Sequence, residues 1–298
     1  MKLLLTFILT STLITVQAQT KADSIKLIQQ SVDLLDLDFT DAEADSMLGS
    51  INSNYQLYKA MHRTLPTNDI TFPFAFNPAP AGTKIPKKQL RIYWDVPTQT
   101  ELPSDKNELA FYSIPQLASL IMNKKISSVE LTKFFIARLK KWDDTLEAVI
   151  TLTEELALKQ AKKADDELKA GIYRGPLHGI PYGLKDLFAV KGYKTTWGTT
   201  PYMDQVLDVD SYVYTELKNH GAVLCAKLSL GALAYNNKWF GGETKNPWNL
   251  SQGSSGSSAG SAAAVTAGLL PFAIGTETLG SIVSPSTRCG ATGLRPTF

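Results

Sequence analysis

The chain predicts an α/β protein, and three features predict it. Residues 113–142 and 153–170 carry apolar stripes and charged faces at helical spacing. Short apolar runs bounded by glycine, 221–228 and 269–274, read as buried strands. A Gly/Ser loop over 253–260 then runs directly into the small-residue stretch from Ala262 to Ile274. Ser/Gly richness alone describes a flexible linker, but a linker has no reason to lead into an apolar run that must be buried.

The bulk numbers set the frame. A chain of 298 residues holds one large or two small domains. Hydrophobic content of 44% with 19% charged residues is ordinary for a globular protein. A net charge of +2 gives no nucleic-acid field, so no nucleic-acid partner is expected.

The elements follow in order. Lys2, an apolar core from Leu3 to Val16 and the A-x-A-like Val16-Gln17-Ala18 read as a secretory signal over 1–18. The expected mature chain begins at Gln19 and is exported, periplasmic or secreted. The apolar run is short for a membrane span, and no cysteine follows Ala18 to carry a lipid. No stable membrane anchor is therefore expected; an uncleaved anchor is the alternative. Residues 19–105 read as a helical extension and connector. Ile25, Ile28, Val32 and Leu35 give part of an amphipathic stripe, and Thr40-Asp41-Ala42-Glu43 opens a second helix with a capping-box pattern. A third helix is expected over 51–62, and residues 65–97 form a Pro-rich extended connector. The extension is expected to clasp the domain over 106–298. There, Ile114-Pro115 opens one helix and Ser127-Ser128-Val129-Glu130 another, and 153–170 is helical with a solvated charged face.

The chemistry-bearing stretch runs from Gly253 to Thr297. It places Ser257 and Ser281 on separate turns. Ser258 or Ser261 suits the cap of a helix running to about Ala267, and Gly268 suits a left-handed stop. The chain then turns through Gly275-Thr276-Glu277-Thr278-Leu279-Gly280 to Ser281. A glycine before a serine lets backbone amides approach a bound oxygen, as an acyl-transfer oxyanion requires. The plainer alternative is a buried turn whose serines only satisfy backbone groups.

Other plans fit less well. Histidine occurs only at 62, 178 and 220, with no metal-ligand spacing, and Cys225 and Cys289 are far apart. No phosphate-binding glycine loop appears. His178 reads as structural or pocket-lining, and both cysteines as buried free thiols.

The stretch from Ser255 to Ala264, then Gly275 to Ile282, then Cys289-Gly290-Ala291-Thr292-Gly293-Leu294-Arg295-Pro296-Thr297, resembles the amidase signature family of Ser–cis-Ser–Lys hydrolases. Upstream, the run from Pro176 to Leu187 resembles its GPLxGIPxxxKD segment, Gly221 to Leu228 its GAVLxGKT strand, and residues 241–249 its GxTxNPxN loop. The matches keep the family order from about residue 106 onward. The resemblance implies a mixed β-sheet core covered by helices, covering about the first half of a family domain. The chain is therefore expected to be a fragment or a truncated protein, incomplete at its C-terminal end and with exposed strand edges.

The resemblance also implies roles. Ser281 is the nucleophile, Ser257 the relay after a cis Gly256–Ser257 bond, and Lys185 the base. Lys185 lies between Gly-Ile-Pro-Tyr-Gly-Leu and Leu-Phe-Ala-Val, an apolar setting that would bury it and lower its pKa. The amides of Thr278, Leu279, Gly280 and Ser281 form the oxyanion hole, with Ser258 and Gly256 supporting; Ser254 and Ser255 shape the loop. The implied reaction hydrolyses a carboxamide of a small molecule through an acyl-serine, without metal or organic cofactor, and a homo-oligomer is compatible. The alternatives are the amidase subunit of a tRNA-dependent amidotransferase and a non-catalytic binding or scaffold remnant. The sequence departs from the family at Leu279 and Ala259, each in place of glycine, at Val283 in place of arginine, and at Glu277 in place of aspartate. Leucine at 279 disfavours positive φ and adds bulk beside the expected acyl site.

Overall fold

The computed structural model describes residues 20–67, 77, 79, 81–88 and 92–296. The expected signal segment, part of the Pro-rich connector, Thr297 and Phe298 lie outside the described residues. The chain divides into two compact units, Met1–Gly82 and Thr83–Phe298.

The first unit holds helices α1 (Lys21–Asp33) and α2 (Asp41–Thr64). Each starts with a capping box, Thr20 with Asp23 and Thr40 with Glu43, which satisfies N-terminal amides that have no helical partner. The two helices expected over 40–62 are one: Gly49 interrupts nothing, since a single glycine costs a helix only about 1 kcal/mol.

The second unit carries helices α3 (Ile114–Met122) and α4 (Ser128–Leu146), strand β1 (Val149–Leu152), helix α5 (Glu154–Lys169) and strand β2 (Pro181–Lys185). Helix α6 (Tyr212–Asn219) and strand β3 (Val223–Leu228) follow. Two small hairpins come next, β4 (Lys238–Trp239) with β5 (Gly242–Glu243), and β6 (Lys245–Asn246) with β7 (Asn249–Gly253). Helix α7 (Ala259–Thr266), strand β8 (Ala273–Ile274) and helix α8 (Val283–Cys289) complete it.

The sheet order is β1-β3-β2-β8, with β1 antiparallel to β3 and the other pairs parallel. Every residue of β2 and β3 is buried, as expected of central strands covered on both faces. Leu117, Leu120, Leu131, Phe135 and Leu139 from α3 and α4 pack with Cys225, Leu228 and Leu270 on one side. Tyr182, Leu184, Tyr214 and Leu224 form the core of the other. Above the end of β1, Leu224 still has both backbone groups paired: its N–H donates to Gln160 Oε1 at 2.8 Å and its carbonyl accepts from Thr153 Oγ1 at 2.8 Å.

The expected strand over 269–274 is mostly not one. Pro271 has no N–H for a ladder, so only Ala273 and Ile274 pair, with Gly183 and Leu184 of β2. Leu269 and Leu270 are instead packed in the core. Gly268 does take the left-handed stop, at φ 63°. Arg138 reaches the carbonyls at that helix end, donating to Gly268 at 2.6 Å and Ala267 at 3.2 Å.

Small residues are what allow α7 to sit on the sheet. The Gly260 N–H donates to the Ser229 carbonyl at 3.0 Å. A Cβ there would collide with the Ala148 carbonyl oxygen and lie 2.6 Å from the Ser229 nitrogen. Gly260→Ala is expected to destabilise the second unit by about 1–3 kcal/mol, the usual cost of overpacking. Equilibrium urea denaturation with an unchanged midpoint would count against this packing.

Candidate functional site

Lys185 ends β2, the strand flanked by β3 and β8, so its side chain emerges where the sheet meets α7 and the turn after β8. It is fully buried. Its Nζ lies 2.8 Å from Ser257 Oγ, 2.8 Å from Thr276 Oγ1, 3.1 Å from Ser258 Oγ and 3.4 Å from the Thr276 carbonyl. None of these partners is charged. Burial lowers its pKa to about 8.

Ser257 and Ser258 lie on the turn leading into α7. The Gly256–Ser257 peptide is cis. A Cβ on Gly256 would strike the Asn236 carbonyl, so glycine lets this turn approach the neighbouring loop. The Ser257 carbonyl accepts from the Gly231 N–H at 3.3 Å. Ser258 occupies the N-cap position of α7 but makes no capping bond. Its hydroxyl instead donates to the Thr276 carbonyl at 3.1 Å and accepts from the Thr276 N–H at 3.2 Å. Ser261 does not cap either; its hydroxyl donates to the Ile274 carbonyl at 3.1 Å. Ser254 Oγ donates to the Ser255 carbonyl, and Ser255 Oγ lies 2.8 Å from Ser284 Oγ.

Ser281 sits half-buried at the end of the turn that begins at Gly275. The Ser258 N–H donates to its carbonyl at 3.0 Å, which ties the two serine turns together. Its hydroxyl makes no hydrogen bond to another described residue. The structure thus joins Lys185, Ser257 and Ser258 directly, and brings Ser281 beside them through backbone rather than through Ser257 Oγ.

The turn is held by Glu277. Its carboxylate accepts from the Ile282 and Val283 N–H groups at 2.7 and 2.9 Å and pairs with Arg295 at 3.5 Å. Burial pushes this carboxyl up, but the amides of Val283, Ile282 and Gly280 together with Arg295 outweigh it and hold it below the usual glutamate range. The N–H groups of Thr278, Leu279 and Ser281 donate to no described residue. The concern about Leu279 does not arise in its backbone: Gly280 takes the positive φ, at 84°, and the Leu279 side chain points outward, 91% exposed.

Thr276 was not singled out by the sequence, although its hydroxyl is as near Lys185 Nζ as that of Ser257. No local pattern marks it, because the contact joins residues 91 apart. His178 is buried with Nε2 2.9 Å from the Ala164 carbonyl, a structural placement. Cys225 and Cys289 are buried free thiols, pushed up to about 12 and about 11 by burial. Among the described residues no group of three or more His, Cys, Asp or Glu is placed to hold a metal ion, and no helix is long and apolar enough to cross a membrane.

A mixed sheet ending in a buried lysine that faces two glycine-framed serine turns defines the class to which comparison then assigns the chain. The family profile described as Amidase matches residues 130–298, and the chain belongs to that family. Over 190 residues it is 45% identical to the A component of the glutamyl-tRNA(Gln) amidotransferase of Marinomonas sp. (strain MWYL1), across 62% of this chain and 39% of that protein. Native peptide amidase from Stenotrophomonas maltophilia superposes with a TM-score of 0.55 at 38% identity, over 58% of this chain and 38% of its own. A fatty acid amide hydrolase superposes with a TM-score of 0.58 at 31% identity, over 62% and 33% respectively. The chain thus spans about two fifths of the length of the curated relatives it matches.

Glu277→Ala is expected to destabilise the protein by roughly 1–2 kcal/mol, because two amides opening α8 lose their acceptor. The folded pKa is depressed, so this stabilisation is complete above the ordinary glutamate value and is lost as pH falls below it. Denaturation curves at pH 7 and pH 3 check this: the gap between wild type and variant should shrink at the lower pH.

Proposed function

We propose that this protein is an amidase that hydrolyses a carboxamide C–N bond through an acyl-serine intermediate. Ser281 Oγ attacks the carbonyl carbon and passes its proton to Ser257 Oγ, whose own proton goes to Lys185 Nζ. The carbonyl oxygen, now carrying the negative charge, is met by the amides of Thr278, Leu279 and Ser281, whereas the Gly280 amide is turned to the Glu277 carboxylate. The protons then return: Ser257 protonates the departing amine and recovers its proton from Lys185. Water, activated by the same relay, cleaves the acyl-enzyme and releases the acid.

The observation that carries this reading is the contact of 2.8 Å between Lys185 Nζ and Ser257 Oγ, both buried, with every partner of the amine neutral. A serine hydroxyl needs a base within hydrogen-bond reach. A neutral amine has two N–H donors and one lone pair. Thr276 Oγ1 and Ser258 Oγ suit the donors, which leaves the lone pair for the Ser257 proton. With a pKa of about 8, this lysine is neutral in about a tenth of molecules at pH 7 and in about half at pH 8.

A second reading, the amidase component of an amidotransferase, is favoured by the 45% identity to such a protein. The two differ in independence. An amidase turns over free amides alone, whereas an amidotransferase component works within a larger assembly. An assay of the isolated protein on simple aliphatic and aromatic amides separates them.

A serine-directed fluorophosphonate is expected to label Ser281, as mapped by mass spectrometry. Labelling confined to Ser257 or to any other residue would reject the assignment of the nucleophile.

The pH dependence has a definite sign. Because the base is active only when neutral, kcat/KM should rise with pH and level off above about 8. Lys185→Ala should lower the plateau by roughly 10²–10⁴-fold while the variant stays folded by circular dichroism. Near-wild-type turnover in that variant would assign the base to another group.

A further inference from the structure

The proposed relay leaves two fully buried charged side chains without a role, Asp186 and Lys227. They pair with each other, and neither has any exposed side-chain surface. Asp186 follows Lys185 at the end of β2. Successive strand residues point to opposite faces. Lys185 turns to the serine turns, whereas Asp186 turns to the face of Tyr182 and Leu184, where Lys227 sits opposite Leu184 in β3. Further bonds surround the pair. Lys227 Nζ also donates to the Lys194 carbonyl at 2.8 Å and to Thr195 Oγ1 at 3.3 Å. Asp186 Oδ2 accepts from the Thr196 N–H at 2.7 Å and from the Thr196 hydroxyl.

From there the connections lead back to the site. Thr196 Oγ1 accepts from the Gly198 N–H at 3.1 Å, and the Trp197 carbonyl accepts from the Leu233 N–H at 2.9 Å. A Cβ on Gly198 would strike the Leu230 carbonyl, so this turn lies flat against the 230–233 segment. In that segment the Gly231 N–H holds the Ser257 carbonyl. We propose that Asp186 and Lys227 are positioning residues: the ion pair locks the strand end bearing Lys185 to the Thr196 turn and, through it, to the segment that seats Ser257. The inference rests on the reading of Lys185 and Ser257 as base and relay.

A second consequence is electrostatic. Among the described residues, the charges nearest Lys185 along the chain and across the sheet are Asp186 and Lys227, which cancel. The 254–258 loop, α7 and β8 carry no charged residue. In the turn after β8, Glu277 is committed to the α8 amides and Arg295. Tyr182 and Tyr214 lie on the opposite face, and Cys225 is a buried thiol in β3. Removing Lys227 alone leaves a bare carboxylate beside Lys185, which favours the ammonium and raises its pKa.

The experiment uses the full chain and the variants Lys227→Met, Lys227→Arg, Asp186→Asn and Asp186→Asn/Lys227→Met. Two readouts are taken against pH: the rate of fluorophosphonate labelling at Ser281, and the ¹³Cε chemical shift of Lys185, assigned with Lys185→Arg. In the wild type both should show a midpoint near 8. Lys227→Met is expected to raise the midpoint by about one unit, equivalent to roughly tenfold slower labelling at pH 7. The double variant should return the midpoint toward wild type, yet keep a labelling plateau lowered by about tenfold or more, because the lock is gone. Lys227→Arg, which keeps the charge, should hold the wild-type midpoint. A purely structural pair would lower Tm in these variants and leave the midpoint in place, and that result overturns the proposal. If Lys227→Met does not fold, Asp186→Asn decides: it keeps an acceptor for Thr196, and labelling at the wild-type plateau would equally overturn the proposal. If wild-type Ser281 is not labelled at all, the amidase reading fails, while the Lys185 titration still tests the effect of the pair.

Discussion

The structure depends on one buried amine without a counter-ion. Lys185 stands at the end of β2 with no exposed surface and no carboxylate partner among the described residues. An ammonium in that position is costly, and the protein meets the cost with geometry rather than charge. Two serine hydroxyls and both oxygens of Thr276 converge on Nζ. For them to do so, the turn before α7 and the turn after β8 must reach the same point, which the bond from the Ser258 N–H to the Ser281 carbonyl secures. The close approach of Gly256 to Asn236 and of Gly260 to Ser229 are further conditions of the same convergence.

Lys227 shows the other solution to the same problem. It too is fully buried, and burial again lowers its pKa, but Asp186 opposes the shift by direct attraction and hydrogen bonding. The two lysines lie on neighbouring strands and face opposite sides of the sheet. One retains an anionic partner and behaves as a structural tie. The other is surrounded by neutral oxygens, and burial brings its titration to about 8. The difference arises from strand alternation: Asp186 follows Lys185 in sequence and therefore points away from it.

The turn carrying Ser281 illustrates how a departure from a family pattern is absorbed. Leucine at 279 looks obstructive when the sequence is read as a string. In the fold the left-handed conformation is taken by Gly280, and leucine needs only an ordinary φ and an outward side chain. Glu277, a methylene longer than aspartate, reaches both the α8 amides and Arg295. The turn is thus anchored by a carboxylate even with Val283 where a basic residue is usual.

Local chemistry was legible in the sequence wherever one short segment settled it. The helix starts at Thr40 and Ser127 are local, as are the stop at Gly268 and the full burial of the 223–228 strand. The motifs around Lys185, Ser257 and Ser281 were readable for the same reason: each is a contiguous run of small residues with few other uses. The sequence by itself therefore determined the family, the helix starts and the candidate residues. Only the tertiary structure decided that Pro271 shortens the last strand, that Ser258 serves Lys185 instead of its own helix, that Thr276 joins the site, and that Asp186 finds Lys227. Those outcomes depend on which groups meet across tens of residues, and a hydroxyl or carboxylate selects among partners only after the sheet has brought them within hydrogen-bond distance.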